Sequence, residues 1–249
     1  MGRFILTAGL FAVVVSLAAS QSFAAGGAAL DHVEFDPGNK ASLQRGARNF
    51  MNYCSGCHSA KYVRFKTIGK YLDLSDEQLI DNLMFNAEKP FETINTAMPA
   101  DSAERWFGTP PPDMSLMARA KGADYVYSFL RGFYLDPESP TGVDNRVLAG
   151  TSMPHVLWEL QGYQKAQFSS HTEGDVTSHS FEGFELVIDG TMEAEDFDEF
   201  VADTVNFLAY IAEPIRSERR KLGVWVMMFL IFFWILAVML KKQIWKDVK

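Results

Sequence analysis

The chain has 249 residues, 48% of them hydrophobic, with 23 Lys and Arg against 31 Asp and Glu for a formal charge of −8. An acidic balance of this kind excludes a nucleic-acid binder, which needs a basic face for phosphates. Two cysteines in so long a chain exclude a fold stapled by disulfides.

In chain order, Arg3 opens a short charged region, the apolar run ILTAGLFAVVVSLAA follows, and Ser22-Phe23-Ala24 supplies small residues around a cut. Residues 1–24 therefore read as a cleavable secretory signal. A retained first anchor competes with it, but the run is shorter than the roughly 20 residues a span needs. Residues 25–221 would be the exported domain, long enough for one real core. They hold 18 basic and 30 acidic residues, a charge near −12. Such a field favours capture of a basic protein partner; plain solubility explains it equally well.

The stretch SLQRGARNFMNYCSGCHS carries a helical stripe of Leu43, Ala47, Phe50, Met51 and Cys54. Ser75 to Asn86 predicts a short helix, with Ser75 and Gln78 spaced as a capping box. KPFETINTAMPADSAERWFGTPPPD predicts an ordered loop around Trp106. Asp113 is placed to cap a helix running to Lys121, and ADYVYSFLRGFY predicts another. Residues 135–154 read as loop, and residues 162–192 as a polar stretch with a small hairpin around FELVIDGTM. Phe197, Val201, Val205, Leu208 and Ile211 mark an amphipathic helix that Pro214 ends or kinks.

Residues 222–240 hold no charge and are long enough to cross the hydrocarbon core. Basic residues flank both ends, so the positive-inside rule alone does not orient the span. The signal does: the helix becomes a stop-transfer anchor in the bacterial inner membrane, with residues 241–249 as a cytoplasmic tail and Trp225 and Trp245 near the two interfaces. The fold class is mainly α with long loops, no internal repeat, and one C-terminal transmembrane helix.

Cys54, Cys57 and His58 form C-x-x-C-H. On a helical turn both thiols face one side, able to add to the two vinyl groups of a haem while the imidazole reaches the iron. A disulfide across two intervening residues would stabilise little. A thioredoxin-like site lacks its β-α-β context, and zinc lacks a second cysteine pair. Candidates for the sixth iron ligand are Met98, Met114, Met153, His32, His155, His171 and His179. Met153 follows a long loop able to cross the haem face opposite His58, and HVLWEL after it could resume a helix. Met98, also followed by proline, is the alternative, and a packing methionine is the third reading. The histidines read as surface or satisfied loop residues.

Taken in order, CSGCHSAKYVRF, PPPDMSLMARAKGADYVY, SMPHVLWEL and FLAYIAEP before a single C-terminal span resemble the cytochrome c1 family, the haem subunits of cytochrome bc1 complexes. The likeness runs from about Leu43 to the C-terminus. The resemblance implies an elaborated mono-haem cytochrome c fold with one haem c, Cys54 and Cys57 as thioether sites, and His58 and Met153 as axial ligands. It also implies an electron taken from the Rieske iron-sulfur protein and passed to cytochrome c, with cytochrome b beside this chain in a dimeric complex and the haem domain in the periplasm. Pro111 and Pro112 would wall the haem, Tyr125 would lie near its edge, and Arg119 or Lys121 would pair with a propionate. Many relatives carry arginine where Lys121 stands, and lysine is a point charge where arginine is a fork. Two other functions remain open: a tethered cytochrome serving another terminal reductase, and a haem peroxidase, which needs an open sixth position.

Overall fold

The computed structural model describes residues 29–173 and 176–247; the expected signal, residues 1–24, lies outside them. Two helices build the centre. Helix α1 (Lys40–Tyr53) begins where the Asn39 side chain accepts the Ser42 N–H at 3.2 Å, and it buries Leu43, Ala47, Phe50 and Met51. These pack on the helix Ala194–Ala212, whose Phe197, Val201, Val205, Leu208 and Ile211 are all buried, so both predicted stripes form one core. The crossing brings the backbones together: a Cβ on Gly46 would stand 2.0 Å from the Asp203 carbonyl oxygen. Phe50 and Phe207 meet at 5.8 Å, and Tyr71 stacks on Tyr210 at 4.3 Å. Beside the crossing, Arg45 grips the buried Asp203 carboxylate through Nε at 2.5 Å and Nη2 at 3.0 Å.

Between these helices the chain runs through β1 (Ala60–Arg64), α2 (Phe65–Leu72), α3 (Asp76–Asn82), β2 (Thr93–Ile94), α4 (Ala100–Phe107), α5 (Met117–Lys121), α6 (Ala123–Arg131), β3 (Phe133–Leu135), β4 (Val143–Asn145), α7 (Trp158–Gln161), β5 (Gly162–Glu173) and β6 (Val176–Asp189); Ala194–Ala212 is then α8. Among the described residues the strands pair only as three antiparallel ribbons, β1 with β2, β3 with β4 and β5 with β6. Helix α3 carries the expected capping box, Ser75 Oγ accepting from the Gln78 N–H and Gln78 Oε1 from the Ser75 N–H.

Five expectations need correction. The stretch around Trp106 contains helix α4 where a loop was expected; only Ala103 of it is buried and Trp106 is 64% exposed. The hairpin around FELVIDGTM extends over Gly162 to Asp189. Loop 135–154 includes β4, and the helix through ADYVYSFLRGFY stops at Arg131, after which Phe133–Leu135 pairs with β4. Helix α5 starts at Met117 with no side-chain cap, so Asp113 does not cap it.

The last helix, α9 (Arg216–Ile244), contains a stretch, Glu218–Ile244, long enough to span a bilayer; its most apolar 18 residues have a mean hydropathy of 2.6, and none of these is buried by the rest of the chain.

Candidate haem site

Helix α1 delivers the chain directly into the C-x-x-C-H turn. The Cys54 and Ser55 N–H groups both reach the Phe50 carbonyl, at 2.9 and 3.0 Å, and Ser55 Oγ donates to the Met51 carbonyl at 2.8 Å. The chain then curls over Cys54, whose carbonyl accepts from the Cys57 N–H at 3.1 Å and the His58 N–H at 2.8 Å. Both cysteines are free, half-buried thiols. Burial, with the neighbouring Cys57 adding, pushes the Cys54 thiol up to about 12, and burial raises Cys57 as well. Neither is poised as a thiolate, which disfavours thiol-disulfide exchange. Among the described residues no group of three or more His, Cys, Asp or Glu side chains converges, so zinc finds no donor set.

His58 is oriented from across the fold. Its Nδ1 lies 2.8 Å from the Pro112 carbonyl oxygen, which can only accept, so Nδ1 carries the proton and Nε2 keeps its lone pair. Burial lowers the His58 pKa, opposed by the Pro112 bond and the charge of Asp113. A neutral imidazole with Nε2 available is the form that binds a metal. Pro112 thus acts here through its backbone oxygen; Pro111, half-buried, precedes it in the same strap.

The strap is fastened by its own sequence. Asp113 Oδ2 accepts the Lys61 N–H at 2.9 Å and its Oδ1 the Ser115 N–H at 2.9 Å; Ser115 Oγ accepts the Tyr62 N–H at 3.1 Å; and the Met114 N–H donates to the Ser59 carbonyl at 2.7 Å. Burial alone would raise the Asp113 carboxyl, but the bonds from Ser115 and the Lys61 N–H outweigh it and hold the group below its usual range. A second loop is pinned to the same turn, Thr96 Oγ1 donating to the Gly56 carbonyl at 2.6 Å and the Thr96 N–H to Ser59 Oγ at 2.9 Å. Sequence reading missed Ser59, Thr96, Asp113 and Ser115 as site builders. The Asp-x-Ser spacing of an Asx turn was the available signal.

Met153 and Tyr125 are half-buried side chains packed on the main core with Met114 and Phe129, whereas half-buried Met98 lies outside that cluster among the described residues. Tyr125 stacks on Phe129 at 6.4 Å, and Lys121 Nζ sits 5.5 Å above the Tyr125 ring, so these two residues are brought together. Arg119 instead faces Glu213 beyond the end of α8, at 3.9 Å. His155 is not on the surface: it is a buried loop residue stacked on Phe133 at 5.1 Å, and burial drops its pKa to about 4. The side chains of His171 and His179 lie outside the described residues.

Two unpaired thiols on one turn, an adjacent imidazole with a fixed tautomer, and a thioether on the core wall suit a haem c better than any other group that these donors could hold. The sequence pattern of the cytochrome C1 family matches residues 32–248. A cytochrome c1 of Allochromatium vinosum is 42% identical over the full length of both chains. A Nitrosomonas europaea protein named ammonia monooxygenase gamma subunit is 37% identical over 100% of this chain and 99% of its own. A Rhodospirillum rubrum cytochrome c1 is 28% identical over 85% of this chain and 83% of its own. The chain therefore belongs to the cytochrome c1 family, the electron-transferring haem subunits of bc1 complexes.

Proposed function

We propose that this chain accepts one electron from a Rieske iron-sulfur protein and passes it to a cytochrome c, on a haem held by thioether bonds to Cys54 and Cys57. When bound, the haem supplies a one-electron iron couple. His58 Nε2 and the Met153 sulfur would hold its iron, and a thioether there would raise the potential and close the iron to oxygen and peroxide. Lys121, beside Tyr125, would meet a propionate; among the described residues Arg119 faces Glu213 instead. Pro111 and Pro112 wall the site. Quinol oxidation belongs to cytochrome b and the Rieske protein, with this chain as their electron outlet.

In this reading residues 1–24 are removed on export, residues 25–221 fold in the periplasm, α9 anchors the domain in the inner membrane, and residues 241–249 stay in the cytoplasm. The complex is a dimer.

The His58 to Pro112 bond carries the proposal, because it leaves the one nitrogen a haem iron needs beside the two thiols. The test is a haem stain that survives a denaturing gel, with a matching mass increment on the peptide containing residues 54–58. Reduction by an added Rieske protein and oxidation by cytochrome c would then be followed in the isolated complex. A bare polypeptide mass overturns the covalent site. Rapid carbon monoxide binding by the ferrous protein, with peroxide turnover, would favour an oxygen-active haem, the reading to which the monooxygenase name of one relative points.

A further inference from the structure

At the neck between domain and span, a cleft of about 490 Å³ opens between the extended segment 32–38 and the first turns of α9. Its walls carry both signs of charge: Arg216 and Arg220 on one helix face, Glu34 and Asp36 on the facing segment. Among the described residues none of these four makes an ion pair, although ion pairs abound close by. Arg219, on another face of the same helix, is bound to Glu213. His32, at the cleft's edge, is bound to Asp124 at 3.1 Å. Opposite charges thus face each other across a gap they do not close.

The walls are held in place. The Val33 N–H donates to Asp124 Oδ1 at 3.0 Å, the Asp36 carbonyl accepts from Asn206 Nδ2 at 2.9 Å, and the Pro37 carbonyl accepts from Tyr71 Oη at 3.0 Å. The Arg216 guanidinium lies 5.1 Å over the Phe35 ring, a cation-π contact that fixes its position without neutralising it. Arg220 falls within the first turn of the bilayer-length stretch that begins at Glu218, so the cleft sits at the depth where lipid headgroups lie.

We propose that this cleft seats the headgroup of a phosphatidylethanolamine-type lipid, phosphate against Arg216 and Arg220 and ammonium toward Glu34 and Asp36. Guanidinium groups bind phosphate as charge-assisted donors, and the carboxylates select a zwitterion over an anionic lipid. The inference rests on reading α9 as a membrane anchor.

The test uses the full haem-loaded chain, reconstituted in nanodiscs of mixed phosphatidylethanolamine and phosphatidylglycerol, transferred to detergent and weighed by native mass spectrometry. The wild-type chain should retain one phosphatidylethanolamine. Arg216→Gln with Arg220→Gln should cut that retention about tenfold, the loss expected of one or two charged hydrogen bonds. Glu34→Gln with Asp36→Asn should shift the retained lipid toward phosphatidylglycerol. Equal retention of the same lipid by both double variants overturns the site while leaving the anchor intact. Equal affinity of the lipid-stripped chain for free phosphoethanolamine overturns the lipid as its source. Recovery of the chain in the soluble fraction overturns the anchor reading itself, and the site with it.

Discussion

The Nδ1 atom of His58 and the carbonyl oxygen of Pro112 meet at 2.8 Å, although 54 residues separate them in the chain. The imidazole's tautomer is therefore a property of the tertiary fold. The fastening that holds Pro112 in place is the Asp113 carboxylate on the Lys61 and Ser115 N–H groups.

Replacing Asp113 tests that fastening. Asp113→Asn should cost about 1 kcal/mol of stability at neutral pH, the worth of a charge-assisted bond at a half-exposed site. Because the folded-state pKa of Asp113 is depressed, its contribution is fully present above the usual carboxylate range and is lost as pH falls through the lowered value. Denaturation curves of the two proteins should therefore converge below about pH 4. A constant gap down to acid pH would show that the charge is not what matters.

Met153→Leu should lower the haem potential by an amount on the order of hundreds of millivolts, the range that axial ligands control. Met98→Leu, outside the core cluster, should leave it nearly unchanged. Redox titration of both variants decides between them, and the reverse result assigns the ligand to Met98.

Gly46→Ala should destabilise the domain by about 3 kcal/mol, the upper range for overpacking, because a Cβ there meets the Asp203 backbone oxygen at 2.0 Å and a backbone atom cannot rotate away. Thermal unfolding of the haem-loaded protein reads the effect. The crossing of α1 on α8 would prove looser than described if this substitution cost less than about 0.5 kcal/mol, the scatter of neutral surface changes.

Seven acidic residues fall between Asp189 and Asp203, and they divide into two groups. Asp198 is bonded to Arg131, while Glu199 and the buried Asp203 are bonded to Arg45, so these three hold the fold together. Asp189, Glu193, Glu195 and Asp196 are exposed, and the last three lead into α8. If the field steers a basic cytochrome c, neutralising Glu193, Glu195 and Asp196 should slow association severalfold at low salt and flatten its ionic-strength dependence. Stopped-flow reduction of cytochrome c across a salt series makes the measurement, and an unchanged slope would remove these residues from the encounter.

The elements legible in the sequence were those whose apolar residues recur with helical period against a deep core. Leu43 to Phe50 and Phe197 to Ile211 announce α1 and α8 because each turn contributes a side chain to the same interface. Ser75 and Gln78 were legible because a capping box closes within four residues. Helix α4 was not, since it buries little beyond Ala103 and leaves Trp106 in solvent. The length of the β5–β6 ribbon was hidden too: among the described residues its apolar side chains Phe168, Leu186, Val187 and Ile188 are exposed, so they do not alternate against a core. At the site, the cysteines and histidine were legible because their spacing is local. The roles of Asp113, Ser115 and Thr96 depend on partners tens of residues away and needed the fold.

With His58 holding the haem as proposed, that long-distance clasp on the imidazole would make the chromophore a strain gauge. A slackening of the proline-rich strap, whether by acid, heat or a substitution at its fastenings, should loosen the ring's proton from its acceptor before the helical centre gives way. The absorption bands and midpoint of the loaded protein should consequently drift while far-ultraviolet dichroism is still flat, an early optical warning sent from one carbonyl.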